Sequence, residues 1–112
     1  MISFELVPEV YELAKSNLAK MGPPANIELI QGDGSEGYEG EAPFDRIMVT
    51  AAMPAISESH PLVRQLKEDG KMIAPVGDIY YQNLVLYDKK TKSSQNILPV
   101  IFVPLKGKAG FK

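Results

Sequence analysis

Ile2-Ser3-Phe4-Glu5 is a short apolar run that ends in an acid, and a helical pattern begins three residues later at Pro8. In a dinucleotide- or nucleoside-binding βαβ unit, an acid at the end of the second strand accepts hydrogen bonds from ribose hydroxyls. On that reading Glu5 is the ribose acid, and a first strand with its glycine-rich turn is expected upstream of Met1. Read from its spacing alone, Glu5 is equally a solvated charge at a strand end. The helix that follows is predicted from Pro8, a residue tolerated in a first turn, and from Val10, Leu13, Ala14, Leu18 and Met21 at helical spacing. Gly22-Pro23-Pro24 should close it.

Beyond that point strand and helix patterns alternate. Residues 27–30 predict a strand stopped by Gly32, and residues 31–43 (QGDGSEGYEGEAP) predict a loop. A third strand is expected over 46–50, where Ile47-Met48-Val49 suits burial on both faces. A helix should follow Pro54 and end near Lys67, with Leu62, Val63 and Leu66 as its apolar stripe. The turn Glu68-Asp69-Gly70 then leads into a strand over 72–76. After this the pattern changes. Residues 80–87 and 97–103 read as strands, separated by the polar stretch 88–96, which carries no helical period. An antiparallel pair closing an otherwise parallel sheet is expected, and no repeat or linker divides the chain into more than one domain.

Composition narrows the classes. A chain of 112 residues with 45% hydrophobic content is long enough for one core. A net charge of −2 and a pI near 5.4 provide no basic field for nucleic acid. The absence of cysteine excludes disulfides, thiol nucleophiles and cysteine-ligated metals. The longest apolar run, residues 97–105, is interrupted by Pro99 and Pro104 and is too short to span a bilayer. No signal-peptide pattern opens the chain, so a cytoplasmic location is the default expectation.

Parallel βα units followed by an antiparallel terminal pair form the layout of the S-adenosylmethionine-dependent methyltransferase fold, an α/β, Rossmann-like sheet. Four stretches then occur in order: ELIQGDGSEGY at 28–38, PFDRIMVTAAMP at 43–54, QLKEDGKMIAPVG at 65–77 and FVPL at 102–105. Together they resemble the protein-L-isoaspartate O-methyltransferases over essentially the whole chain. The resemblance implies methyl transfer from S-adenosylmethionine to the α-carboxylate of L-isoaspartyl residues in damaged proteins. The ester then cyclises to a succinimide that reopens partly to aspartate. Such a reaction needs little acid–base machinery, because a sulfonium activates the methyl and the carboxylate is already a nucleophile. Positioning and exclusion of water would do most of the work, so the lack of a triad is expected.

The resemblance also implies roles for individual residues. Glu5, with Leu6 beside it, would bind the ribose of the cofactor, and Asp33 the exocyclic amine of adenine. Gly32 and Gly34 would let backbone approach the base and would permit positive φ; a lone Gly-Asp-Gly otherwise reads as an Asx-type turn. Thr50 and Ala51 would line the methyl-transfer site, and Ala52 would leave room for the substrate backbone. Tight packing of a strand end is the other reading of these three. Val76, Gly77, Phe102 and Val103 match segments that bind the isoaspartyl peptide through backbone groups, and suit core strand positions equally well.

The resemblance starts late in the family pattern. The N-terminal third, with the central first strand and the glycine-rich cofactor loop, is expected to be missing. Residues 1–112 would then be the C-terminal part of a single methyltransferase domain, weak or inactive alone. A buried unsatisfied backbone group costs about 1–3 kcal/mol, so an open sheet edge favours self-association or a companion chain. A non-catalytic module that pairs through this edge is the alternative function. Other candidates read as structural. His60 is a lone surface-loop histidine, and residues 33–36 lack the spacing of a calcium loop. Asp88, Lys89, Lys90 and Lys92 form a solvated hairpin tip, while Tyr80 and Tyr81 are strand aromatics expected to pack. Ser35 suits a turn cap, Tyr38 packing, and Asp45 the entrance to a strand.

Overall fold

Proline at a helix start and glycine at its end frame the first helix. The computed structural model describes residues 1–22 and 26–111. Helix α1 spans Pro8–Lys20, with Glu9 in its first turn and Lys20 in its last, each at the end of the helix dipole that favours its charge. Gly22 follows at φ +79°, the left-handed conformation that terminates helices. Pro23 and Pro24, the rest of the expected stop, lie outside the described residues. α1 connects β1 (Ile2–Glu5) to β2 (Glu28–Gln31). The two strands pair in parallel, Ile2 opposite Glu28 and Glu5 opposite Gln31.

These elements lie in the first of two compact units, Met1–Gly34 and Ser35–Lys112. No described residue of the first unit is fully buried. Its helix uses only part of the expected stripe. Ala14 and Leu18 are half-buried and line a groove with Ser3, Ile27 and Leu29. Leu13 remains 60% and Met21 82% exposed. Two strands and one helix have too few faces to enclose a core.

The second unit does enclose one. It contains β3 (Phe44–Met48), α2 (Pro61–Arg64), β4 (Leu66–Gly77), β5 (Gln82–Asp88) and β6 (Ser93–Val100). The strands lie in the order β3-β4-β5-β6, with β3 parallel to β4 and the terminal β5–β6 pair antiparallel, as the sequence led us to expect; β4 and β5 also pair antiparallel. Val49, Met53, Leu62, Val63, Leu66, Met72, Ala74 and Tyr87 form the core. Full burial of a large apolar side chain contributes about 1.5–3 kcal/mol, so this cluster dominates the stability of the unit.

Several boundaries differ from expectation. α2 is one turn long, because Pro61 starts it, Gln65 ends it and Leu66 already belongs to β4. The strand buried on both faces is buried on one: Met48 is 74% exposed while Val49 is buried. The turn at 68–70 survives inside a strand. The register jumps from Phe44 opposite Leu66 to Arg46 opposite Lys71, so residues 67–70 bow out against Asp45 alone. Lys67 and Asp45 form an ion pair at 3.0 Å there. β6 begins in the polar stretch, since an exposed edge strand needs only the ladder to β5 and no apolar alternation. The hairpin closes over residues 89–92, with Lys92 at φ +55° and the Asp88 carboxylate accepting from Lys90 N at 3.0 Å.

One buried amide organises the loop ahead of β3. Gln65 Nε2 donates to the Glu36 carbonyl and its Oε1 accepts from Tyr38 N, both at 2.8 Å. Gly37 between them sits at φ +72°, and a Cβ there would collide with the Gln65 carboxamide. Gln65→Leu keeps the side-chain bulk and leaves both loop groups without their partner. We expect urea unfolding to show a loss of about 1–3 kcal/mol. Unchanged stability would mean that water replaces the amide.

Candidate functional site

In the first unit, the carboxyl ends of β1 and β2 lie side by side. Gly32 N donates to the Glu5 carbonyl at 2.9 Å, so the residue after β2 is tied to the last residue of β1. The Glu5 carboxylate is half-buried and, among the described residues, accepts only a long bond from Val7 N, at 3.4 Å. The Leu6 carbonyl accepts from Gln31 Nε2 at 3.0 Å, which fixes the turn out of β1. Asp33 follows Gly32 and is half-buried. Two carboxylates thus stand at neighbouring parallel strand ends, the location where open α/β sheets take ligands. The expectation of positive φ at Gly32 and Gly34 fails; neither takes it. Gly34 is required for another reason, because a Cβ there would come within 2.8 Å of Phe4 Cβ. Gly32 faces open space, and nothing lies within 4 Å of a Cβ built on it.

In the second unit, the segment after β3 is laced between two others. Ala52 N donates to the Val103 carbonyl at 2.7 Å, and Leu105 N to the Ala52 carbonyl at 2.8 Å. On the other side, Met53 N donates to the Pro75 carbonyl at 2.8 Å, and Gly77 N to the Met53 carbonyl at 2.9 Å. These bonds bring together Thr50, Ala51, Ala52, Val76, Gly77, Phe102 and Val103, residues far apart in the chain. Ala52 and Met53 are fully buried, Ala51 is half-buried, and Thr50 is exposed. The N–H groups of Gly77 and Phe102 are already committed within the chain. Among the described residues, the N–H groups of Thr50, Ala51 and Val103 are not. They are the donors this cluster presents.

Sequence reasoning missed the residue that holds these loops. Gln82 is fully buried; its Oε1 accepts from Phe102 N and its Nε2 donates to the Asp78 carbonyl, both at 2.7 Å. A glutamine in an apolar strand that pairs with Gly77 was the available signal. The Asp78 carboxylate in turn caps Tyr80 N and Tyr81 N at 2.8 Å. Tyr80 and Tyr81 therefore belong to a loop, not a strand, and do not pack as expected: Tyr80 is 80% exposed. Gly77 takes φ +153°, and a Cβ on it would clash with the Tyr81 carbonyl.

His60 is likewise more than a surface-loop residue. It is half-buried, its Nδ1 caps α2 by accepting from Leu62 N at 3.1 Å, and its Nε2 meets the Ala109 carbonyl at 2.9 Å. With Nδ1 an acceptor, Nε2 carries the proton and donates. The buried Ser35 hydroxyl accepts from Ala109 N at 3.0 Å, so Ala109 is held through both backbone groups. Among the described residues, no group of three or more His, Asp or Glu side chains could hold a metal ion. Nor is any described helix long and apolar enough to cross a membrane.

Comparison with known proteins agrees with this fold. The family model for protein-L-isoaspartate(D-aspartate) O-methyltransferase matches residues 1–110. A protein-L-isoaspartate O-methyltransferase of Archaeoglobus fulgidus is 47% identical over 115 residues, covering 100% of this chain and 51% of that protein. One from Hyperthermus butylicus is 43% identical over 113 residues, covering 98% of this chain and 46% of that protein. The chain thus spans about half the length of the curated relatives it matches. Among solved structures, a Plasmodium falciparum protein-L-isoaspartate O-methyltransferase in complex with S-adenosyl-L-homocysteine superposes with a TM-score of 0.79 at 29% identity. It covers 94% of this chain and 51% of that one.

The geometry of Gln82 separates a structural residue from an exposed one. Gln82→Leu should lower stability by about 1–3 kcal/mol, because Phe102 N and the Asp78 carbonyl lose a buried partner. Tyr80→Ser should stay within about 0.5 kcal/mol of the parent. Denaturant unfolding of both variants checks the pair; equal effects would refute the assignment of Gln82 as the residue that holds the loops.

Proposed function

The chain belongs to the protein-L-isoaspartate O-methyltransferase family, and from that premise we propose that residues 1–112 are the C-terminal part of a single methyltransferase domain whose reaction is methyl transfer from S-adenosylmethionine to the α-carboxylate of L-isoaspartyl residues in proteins. The observation that carries this reading is the pairing of Glu5 and Gly32-Asp33 at adjacent parallel strand ends, tied by the 2.9 Å bond from Gly32 N. Glu5, with little of its hydrogen-bonding capacity used, would accept from ribose hydroxyls, and Asp33 from the amine of adenine. Leu6 would flank the ribose, and the open space beside Gly32 and the turn at Gly34 would admit the flat base. Those residues fit the group. When bound, S-adenosylmethionine supplies a methyl made electrophilic by its sulfonium.

The second unit would receive the substrate. The uncommitted N–H groups of Thr50 and Ala51 are donors for a carboxylate, and Val103 N is a donor for a peptide carbonyl. Ala51 is small and half-buried, so it would leave space for a backbone that carries an extra methylene, while the fully buried Ala52 would hold the junction beneath it. Val76, Gly77 and Phe102 would shape the peptide-binding wall, since the N–H groups of Gly77 and Phe102 are spent on Met53 and Gln82. None of these groups transfers a proton; they orient a nucleophile that is already ionised and exclude water from it. We assign the isolated chain weak turnover or none. The alternative, a non-catalytic module that pairs with another chain, draws on one observation. Among the described residues, β3 has β4 on one side only, and Met48 on it is exposed.

Calorimetry with S-adenosyl-L-homocysteine tests the adenosine half-site. Binding is expected, and Glu5→Gln and Asp33→Ala should each weaken it about tenfold or more, equivalent to about 1.4 kcal/mol. A folded chain that binds nothing would refute this half-site. Co-expression with the N-terminal half of the A. fulgidus relative should raise methylation of an isoaspartyl peptide. A complex that forms without turnover would favour the module.

A further inference from the structure

Asp33, Asp45, Asp69, Asp78 and Asp88 are the aspartates of the chain, and only Asp33 and Asp69 precede a glycine. A glycine after aspartate removes the Cβ that otherwise shields the next backbone nitrogen from the side-chain carboxyl. The two Asp-Gly pairs sit in different surroundings. Asp33 is half-buried and already engaged in an interaction, and Gly34 is pressed against Phe4. Asp69 is exposed, and among the described residues no hydrogen bond or ion pair holds its carboxyl. It lies on the excursion of residues 67–70, which neither the β3 register nor the β5 register includes. Packing keeps a glycine beside it, because a Cβ on Gly70 would lie 3.0 Å from the Lys67 carbonyl oxygen and 3.1 Å from that of Asp45. The fold therefore retains an Asp-Gly pair on an excursion outside both registers, tethered where the buried Gly70 accepts from Lys89 N through its carbonyl at 3.1 Å, while the Asp69 side chain stays exposed.

We propose that Asp69-Gly70 is a site of spontaneous isomerisation, at which this protein acquires an isoaspartyl linkage in its own β4. The Gly70 nitrogen attacks Asp69 Cγ, a new N–C bond forms, and the carboxyl hydroxyl leaves with the amide proton as water, closing a succinimide. Water then adds to one of the two imide carbonyls. Opening at Cγ restores aspartate. Opening at the Asp69 main-chain carbonyl routes the chain through the side chain and leaves a free α-carboxylate. One water leaves and one enters, so no oxidant, reductant or other reactant is needed and mass is unchanged. The inserted methylene falls where the register is already broken, which spares the paired residues on either side. The linkage belongs to the chemical class that the proposed reaction acts on, but its formation is independent of that reading and of any activity of the chain.

The experiment ages the purified chain at physiological pH and temperature for several weeks. Electron-transfer fragmentation of its peptides then locates isoaspartyl linkages. Isoaspartate should accumulate several-fold faster at position 69 than at 33, 45, 78 or 88. Asp69→Glu, at an exposed position, should abolish the signal there, because glutamate would have to close a slower six-membered ring. Asp69→Asn should accelerate it, with a one-dalton gain because ammonia leaves on ring closure and water enters on ring opening. A free peptide Lys-Glu-Asp-Gly-Lys, aged alongside, calibrates the chemistry. Conversion of the peptide with none at position 69, or conversion at 33 equal to that at 69, would overturn the proposal.

Discussion

Four backbone hydrogen bonds at Ala52 and Met53 are the constraint on which the larger unit depends. Two residues just past β3 bond to Val103 and Leu105 on one side and to Pro75 and Gly77 on the other. Both are fully buried, so none of these bonds competes with water. Ala52 is fully buried, and the side chain of Met53 joins the core with Val49, Leu62 and Met72. The positions proposed for substrate binding converge because the backbone must be satisfied there. The donors left over, at Thr50, Ala51 and Val103, are the exposed margin of a packed junction.

Two buried glutamines do for the loops what the ladder does for the strands. Gln65 satisfies both a donor and an acceptor of the segment before β3, and Gln82 does the same for the turn after β4 and the segment after β6. A carboxamide suits this task because it donates and accepts without bringing a charge into the interior. His60 and Ser35 repeat the device at Ala109, one on each backbone group. The first unit has an exposed counterpart, the Gln31 amide bonded to the Leu6 carbonyl. Its strands satisfy each other, but its helix leaves Val10, Leu13 and Met21 exposed, and no described residue in it is buried. The strand ends that carry Glu5 and Asp33 rest on the β1–β2 ladder and on Gly32.

Much of this was legible from residue types and spacing. Pro8 and Gly22 marked the first helix, the changes of period marked the strands, and the polar break near residue 90 marked the antiparallel hairpin. The acid after β1 and the Gly-Asp-Gly after β2 were recognisable as neighbours because parallel strands joined by a helix place their carboxyl ends together. Where the reading failed, a non-local partner decided. A helix was expected through Leu66, yet that residue pairs with Phe44 as strand. Tyr80 and Tyr81 were expected to pack, yet the Asp78 cap turns them into a loop.

The division has a physical basis. Local conformation depends on a few adjacent residues, so the sequence by itself determined the class of each long element, the parallel-then-antiparallel order and the family-like words around Asp33 and Thr50. Burial and hydrogen-bond partners depend on residues far apart in the chain. Only the tertiary structure therefore decided that Met48 faces outward, that Gln65, Gln82 and His60 hold loops together, and that the N–H groups of Gly77 and Phe102 are spent while those of Thr50, Ala51 and Val103 are not.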